Sequence, residues 1–470
     1  MILMKNIFVD VIAHTNDPEE VCEAAGRNTY KPELPSQLFV NAKQDQNKTV
    51  LKNIVRMGHH SVIEHANFTI VFEGVSVFFE QFLIEFRLAS YTAKSRRYVN
   101  YGESGYIMPA FTNNDSLKIK YIETMNYLFE TYKYLVEQGV PVEDARFVLP
   151  YSFCSKIICT MNSRELIHFL WDAIYGRGKR YPEIKYIGEK LLKKLQGYAP
   201  NIFSNLENLE RGVNEKESEL NVLCNQYNIK NNFAEREEKV QLLYFTENPD
   251  ERIASIALMN HTQLDKYTVE SCIDDCKKEI IDIILRNKRQ RELEHINFTF
   301  RINNITLSIL THISRHRMHC LLVPSFLEFG KSKNFVKPKT IYDNPGLVKI
   351  YEDAFEKSEH LYNLLRKEGI NEEAVYSYLS GNLLDIITTM NGRELYHFLR
   401  LRCCLRAQWE VREIADLILR KIKEIAPLTF SKAGPSCFLY GFCPEGKNTC
   451  GKFEEVIDNY KNLNRELGIQ

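Results

Sequence analysis

The sequence predicts an α+β chain that contains one module twice, an antiparallel sheet packed with helices in each copy. Three observations carry this reading. First, Ile63–Ile70 (IEHANFTI) returns as Leu293–Phe300 (LEHINFTF), with Glu64 and Glu294 separated by 230 residues. Second, Thr160–Phe169 (TMNSRELIHF) returns as Thr389–Phe398 (TMNGRELYHF) at an offset of 229, and an Ala-Pro pair at Ala199 returns at Ala426 at an offset of 227. Third, the starts agree: AHTNDPEEVCEAA around Thr15 parallels YFTENPDERIASIA around Thr246. Three separated blocks at nearly one offset imply duplication and fusion. We therefore assign residues 1–204 to repeat one, 205–239 to a polar connection and 240–470 to repeat two with a cysteine-containing tail.

The elements follow in order. Asn67–Glu73 and Asn297–Asn303 alternate with a period of two and are rich in β-formers, which predicts strands. The apolar stretches Val77–Phe86 and Ile305–Ile313 have helical spacing. Asn162 and Asn391 occupy N-cap positions, with Glu165 and Glu394 three residues on, the spacing of a capping box. The helix begun at Asn391 is expected to run past Trp409. The connection, charged and poor in Gly and Pro, is expected to be partly helical.

Bulk numbers set limits. At 470 residues with 44% apolar composition, more than one core is expected. The 61 basic and 61 acidic residues balance, so nothing draws the whole chain to nucleic acid or an anionic membrane. The N-terminus makes a poor signal peptide and no apolar run is long enough to span a bilayer, so the expectation is a cytoplasmic protein. Its 12 cysteines are then expected to be reduced. Cys272 and Cys276 read as packing residues on a helix. Cys403 and Cys404 follow Arg402, and core packing is their default role. Cys437, Cys443 and Cys450 crowd a Gly/Pro-rich tail. Without a CxxC pair, free thiols are the favoured reading and Zn²⁺ or an iron–sulfur centre the alternative.

The candidate chemistry lies in arginines. Leu395, Phe398, Arg402, Leu405 and Trp409 share one helical face if the helix is continuous, so Arg402 interrupts an apolar stripe where repeat one has Ala173. A buried guanidinium needs an anion or a set of acceptors. Arg393, His397 and Arg400 line another face, as surface charge usually does. Arg315, His316 and Arg317 end one apolar stretch; Ser95, Arg96 and Arg97 follow the other, and Arg146 closes a Glu-Asp-Ala-Arg motif. Arginine in preference to lysine favours bidentate recognition of phosphate or a carbonyl edge. Aligned on Arg87 and Arg317, the copies are complementary. Repeat one keeps Ser95–Tyr98 but has Glu85 and Phe86 in place of Arg315 and His316. Repeat two keeps Arg315–Arg317 but has Leu327 and Glu328 for the Arg-Tyr pair and Val375 for Arg146. Glu85 is expected to repel an anion. One composite site per chain is therefore expected, its mirror image dead.

These motifs resemble the flavin-dependent thymidylate synthases. The resemblance rests on GHHSVIEHANFTI (Gly58–Ile70), RLASY…SRRY (Arg87–Tyr98), EDARFVLP (Glu143–Pro150), NGRELYHFLRLR (Asn391–Arg402) and AQWEVR (Ala407–Arg412), and it covers nearly the whole chain, one family unit per half. It implies reductive methylation of dUMP to dTMP with FAD as cofactor and NADPH and methylenetetrahydrofolate as co-substrates. Carried over, it implies nucleotide contacts from Ser95, Arg96, Arg97, Arg146, Arg315, Arg402 and His312, with Arg315 and Arg402 the catalytic pair. It implies FAD contacts from His59, Ser61, Glu64, Arg315, His316, Asn391, Arg393 and His397, and a homodimer mimicking the family's tetramer. Repeat two has Arg289 and Arg291 where His59 and Ser61 stand. Three departures, His312 for a family Gln, Thr92–Ala93 for an Asn-Glu pair and Cys320 for a Ser, allow another pyrimidine nucleotide as substrate. A non-catalytic flavin or nucleotide binder is the rival of a different class.

Overall fold

The computed structural model describes residues 2–111, 114–204, 206, 216–229, 238–326 and 334–469. It forms two compact units: one comprises residues 1–232 and 325–382, the other residues 233–324 and 383–470.

In the first unit, strands β1 (Phe8–His14), β2 (Asn67–Ser76), β3 (Ala89–Ala93) and β4 (Cys154–Asn162) form an antiparallel sheet in the order β1-β2-β4-β3. In the second, β5 (Val240–Phe245), β6 (Asn297–Thr306), β7 (His319–Leu322) and β8 (Leu383–Asn391) repeat it as β5-β6-β8-β7. The register repeats as well. Asn67 faces Asn162 and Asn297 faces Asn391. The Thr69–Thr160 hydroxyl pair at 3.0 Å matches Thr299–Thr389 at 2.9 Å. β2 carries an irregularity at Gly74 (φ 69°), and Asn304 (φ 53°) stands at the same place in β6. These positive φ values suit Gly and Asn, which tolerate the left-handed region. The α+β class stands.

The strand-to-helix junctions are built alike. Strands extend to Ser76 and Thr306, slightly beyond the expected ends, because each hydroxyl caps the next helix, Val77–Leu83 or Leu307–Ile313. A buried glutamate on a later helix holds each cap. Glu183 accepts from the Ser76 N–H (2.7 Å) and hydroxyl (2.6 Å); Glu410 accepts from the Thr306 N–H (3.0 Å) and hydroxyl (2.7 Å). The first helix ends at Leu83, short of the predicted Phe86, where the Tyr91 hydroxyl donates to the Leu83 carbonyl at 2.8 Å. Asn162 and Asn391 cap helices Ser163–Ile174 and Gly392–Arg402, accepting from the Glu165 N–H (2.9 Å) and the Glu394 N–H (2.8 Å). The glutamate carboxylates are used elsewhere: Glu165 accepts from Leu88 N–H, and Glu394 reaches His316.

Two expectations about helices fail. The helix from Asn391 stops at Arg402, and another begins at Trp409. The buried Gln408 side chain accepts from the Glu410 and Val411 N–H groups, a cap that starts a new helix and ends the old stripe. Leu405 and Trp409 therefore do not continue Arg402's face. Cys272 and Cys276 flank a 3₁₀ turn, Ile273–Asp275, rather than riding an α-helix; Cys272 is exposed and Cys276 packs on an apolar cluster. In the connection, Lys216–Gln226 is helical, and much of the remainder lies outside the described residues.

The repeats are not the compact units. Residues 334–382, repeat two by sequence, pack into the first unit, where Pro150 bridges Leu379, the residue 229 positions later. The Tyr151 N–H donates to the Tyr378 carbonyl at 2.7 Å, and the Ser380 N–H to the Leu149 carbonyl at 3.0 Å. Exchanging each residue for its repeat counterpart turns one bond into the other. This is the self-complementary logic of a two-fold interface, written inside one chain. Two 23-residue helices, Asp115–Glu137 and Pro345–Lys367, also pack together in this unit. Among the described residues, no helix is long and apolar enough to cross a membrane.

Candidate functional site

The first unit gathers Ser95, Arg96, Arg97 and Arg146. Ser95 is exposed in the turn after β3, and its hydroxyl accepts from the Arg97 N–H at 3.3 Å. Arg96 is buried and donates to Glu80 Oε1 at 2.9 Å, while Ser155 donates to Glu80 Oε2 at 2.7 Å. Its guanidinium thus braces the loop. Arg97 donates from Nε to Glu143 Oε2 at 2.8 Å. Arg146, only 3% exposed, donates from Nε to the Glu143 carbonyl at 3.0 Å, and its Nη2 has no hydrogen-bond partner. Burial, and then the positive Arg96, pull the Arg146 guanidinium down to about 9. Glu143 and Asp144 act in the opposite sense to Arg96 and Arg97.

The second unit assembles a chain of three side chains. Glu394 Oε1 lies 2.9 Å from His316 Nδ1, and Arg402 Nε donates to His316 Nε2 at 3.0 Å. A guanidinium cannot accept, so Nε2 carries no proton and the Nδ1–H donates to Glu394. Arg402 Nη2 also donates to the His312 carbonyl at 3.0 Å, so His312 contributes its backbone to this chain. Burial and the adjacent Arg402 pull His316 down to about 2, and burial pushes the Glu394 carboxyl up. Arg315 is exposed next to this chain. His397 stacks edge-on to His316 at 5.4 Å and accepts from Arg400 Nη2 at 3.1 Å. The Arg400 Nε is buried without a partner among the described residues. Arg393 pairs with Glu294.

Ligand atoms of His316, Glu394 and His397 lie within 4.8 Å of one another. Both His316 nitrogens are committed, and Arg400 and Arg402 stand beside the group. A hydrogen-bonded chain explains it better than a cation.

His59 and Ser61 are exposed around the 3₁₀ stretch His60–His65, and Glu64 pairs with Arg164 at 2.7 Å, as Glu294 does with Arg393 in the other copy. They lie in a different element from the arginine loop of the same unit.

The mirror positions lack these groups. Phe86 meets Phe169 edge-on at 5.4 Å, just as His316 meets Phe398 at 4.9 Å. Ala173, fully buried, replaces Arg402, and Val375, 3% exposed, replaces Arg146. Glu85 pairs with Arg177 at 2.6 Å, and the same guanidinium also pairs with Asp172 at 2.7 Å, so one cation is shared by two carboxylates. Leu327 and Glu328 lie outside the described residues; Arg289 and Arg291 are exposed. Reading the sequence missed Glu80 and Glu143 and took Glu394 for a cap alone. Glu143 lies inside the Glu-Asp-Ala-Arg motif, so its signal was present.

His316 yields a pH prediction. Native His316 stays unprotonated while its unfolded counterpart takes up a proton below about 6.5, so stability falls as pH drops through that value. His397, lowered first by burial, acts in the same sense; Glu394, raised by burial, acts in the opposite one. One such imidazole contributes a slope of up to about 1.4 kcal/mol per pH unit. Urea unfolding between about pH 7.5 and 5.5 should show a shallower slope for His316→Gln than for wild type. Equal slopes would sink the neutral assignment.

Both repeats match known proteins. The sequence profile of the family described as "Thymidylate synthase complementing protein" matches residues 10–201 and again 241–428. A flavin-dependent thymidylate synthase from Geobacter sulfurreducens is 36% identical over 237 residues, which is 49% of this chain and 100% of that protein. One from Clostridium tetani is 31% identical over 245 residues, 47% of this chain and 96% of that protein. A crystal structure of a UMP/dUMP methylase, PolB from Streptomyces cacaoi, bound with 5-Br dUMP, aligns with 23% identity and a TM-score of 0.36, covering 43% of this chain and 95% of that one. That overlap is too low to bear on fold or function.

Proposed function

Because the chain belongs to the flavin-dependent thymidylate synthase family and carries its module twice, we propose that it methylates dUMP reductively to dTMP with FAD, NADPH and methylenetetrahydrofolate. The reaction needs the intact half-site of each unit, one working set per chain. The observation that carries this reading is complementary wear: His316 and Arg402 in one copy match Phe86 and Ala173 at the same structural places in the other. Repeat one is worn where repeat two is charged, and Arg146 against Val375 reverses the pattern.

The residues divide the work. Arg146, with its unsatisfied Nη2, and Arg97 receive the nucleotide's anionic groups, while Arg96 holds the loop through Glu80. Arg402, oriented by His316 and the His312 carbonyl, stabilises charge developing on the pyrimidine. Glu394 keeps His316 in the tautomer that accepts from Arg402.

The cofactor's fit is supported by the buried Arg400 Nε, which has no partner among the described residues and whose guanidinium meets His397, a donor suited to a diphosphate. Asn391, His316 and Arg315 complete it in the second unit; His59, Ser61 and Glu64 are its counterparts in the first. When bound, the reduced flavin supplies the hydride that side chains cannot. The working assembly is a homodimer of four modules, which light scattering would size.

Tritium release from 5-tritiated dUMP and UMP, and product analysis with dCMP, test the reading on the purified full chain. Release from dUMP that depends on folate and NADPH is expected. The Thr92–Ala93 and Cys320 departures support another pyrimidine nucleotide as the second reading, and release from UMP alone would select it. A yellow protein that turns over none of them would overturn the enzymatic reading.

A further inference from the structure

The C-terminal tail has order without a core. Helix Ser436–Tyr440 contains no buried residue. From Tyr440 to Lys452 every residue is exposed except Cys443 and Cys450, which are half-buried. A loop this poor in apolar burial has little hydrophobic reason to hold one shape. Its two inward-facing side chains are both thiols. Gly441 (φ 74°) and Gly451 (φ 73°) supply left-handed turns beside them.

The tail is fastened to the end of the helix that bears Arg402. Ser436 Oγ donates to the Arg400 carbonyl at 3.1 Å, and Arg400 Nη1 donates to the Tyr440 hydroxyl at 2.6 Å. This sets Cys437 against the segment containing Cys404. The thiols are within electrostatic reach of one another. After burial, Cys450 and Cys443 are among the groups that raise Cys404, and Cys404 and Cys443 among those that raise Cys437. Neighbouring Cys403 is different: it is fully enclosed and bonded to Asp416. None of the cysteines is in a disulfide.

We propose that Cys404, Cys437, Cys443 and Cys450 are the four thiolate ligands of a soft-metal centre, a zinc ion or an iron–sulfur cluster, that ties the tail to the Arg402 helix. Four thiolates without an oxygen ligand select these metals. Among the described residues, no three of these sulfurs lie within 4.8 Å of one another, so a metal must draw the thiols inward on binding.

The test uses full-length protein purified without oxygen or chelators. Metal analysis and acid-labile sulfide are measured for wild type, Cys443→Ser, Cys450→Ser and the exposed-cysteine control Cys272→Ser. Iron with sulfide, or one zinc without sulfide, lost in the first two variants and kept in the third, supports the site and says which metal fills it. Alkylation of native wild type followed by mass spectrometry provides a readout independent of variant folding: the four cysteines should be protected until the metal is removed. Metal-free protein whose Cys437, Cys443 and Cys450 react as readily as Cys272 would overturn the proposal.

Discussion

Arg402→Ala is expected to lower kcat/KM for dUMP by about 10²–10³-fold, the usual loss when a positioned transition-state donor is removed. The protein should remain folded. Repeat one is the internal control: it has Ala173 and Phe86 at the matching places, so the scaffold accepts an apolar pair there. The double variant Arg402→Ala, His316→Phe copies that arrangement and should be as inactive as the single one. Arg402→Lys should recover little, because an ammonium cannot reproduce the Nε donation to His316 together with the Nη2 donation to His312. Steady-state kinetics beside urea unfolding check this. Activity within threefold of wild type in Arg402→Ala would remove the second unit's half-site from the mechanism.

Arg146→Met is expected to separate stability from binding. Arg146 is buried near Arg96 and Arg97 as well as Glu143 and Asp144, and its Nη2 has no partner among the described residues, a costly arrangement. An apolar side chain of similar length should stabilise the fold by about 1 kcal/mol or more. Val375 shows that the other copy of the module buries an apolar residue there. Nucleotide binding should weaken by about 10²-fold or more, since truncating one member of a buried charged pair costs roughly 2–5 kcal/mol. Calorimetry with dUMP and urea midpoints read both effects. A destabilised variant with unchanged dUMP affinity would make Arg146 a structural residue.

Particular residues show how far sequence reasoning reached. The duplication, the α+β class and both N-caps were legible, because each is written in local spacing or in a comparison between the copies. Glu394 was visible only as a cap, since nothing near it in sequence names His316 as its partner, 78 residues away. Arg177, which bridges Glu85 and Asp172, could not be assigned as their partner from sequence spacing. The helix break before Trp409 escaped because a Gln cap is a weak sequence signal.

Order along the chain and residue identity were sufficient to establish that one module occurs twice and that each copy has lost a different set of charges. Folding alone settled which charges meet: that Glu394 and His316 hold Arg402, that Glu143 holds Arg97, and that residues 334–382 leave their own repeat to pair Leu379 with Pro150. The reason is physical. Periodicity and caps depend on neighbours a few residues away, whereas the partner of a buried charge is selected by desolvation across the whole fold, among groups far apart in sequence.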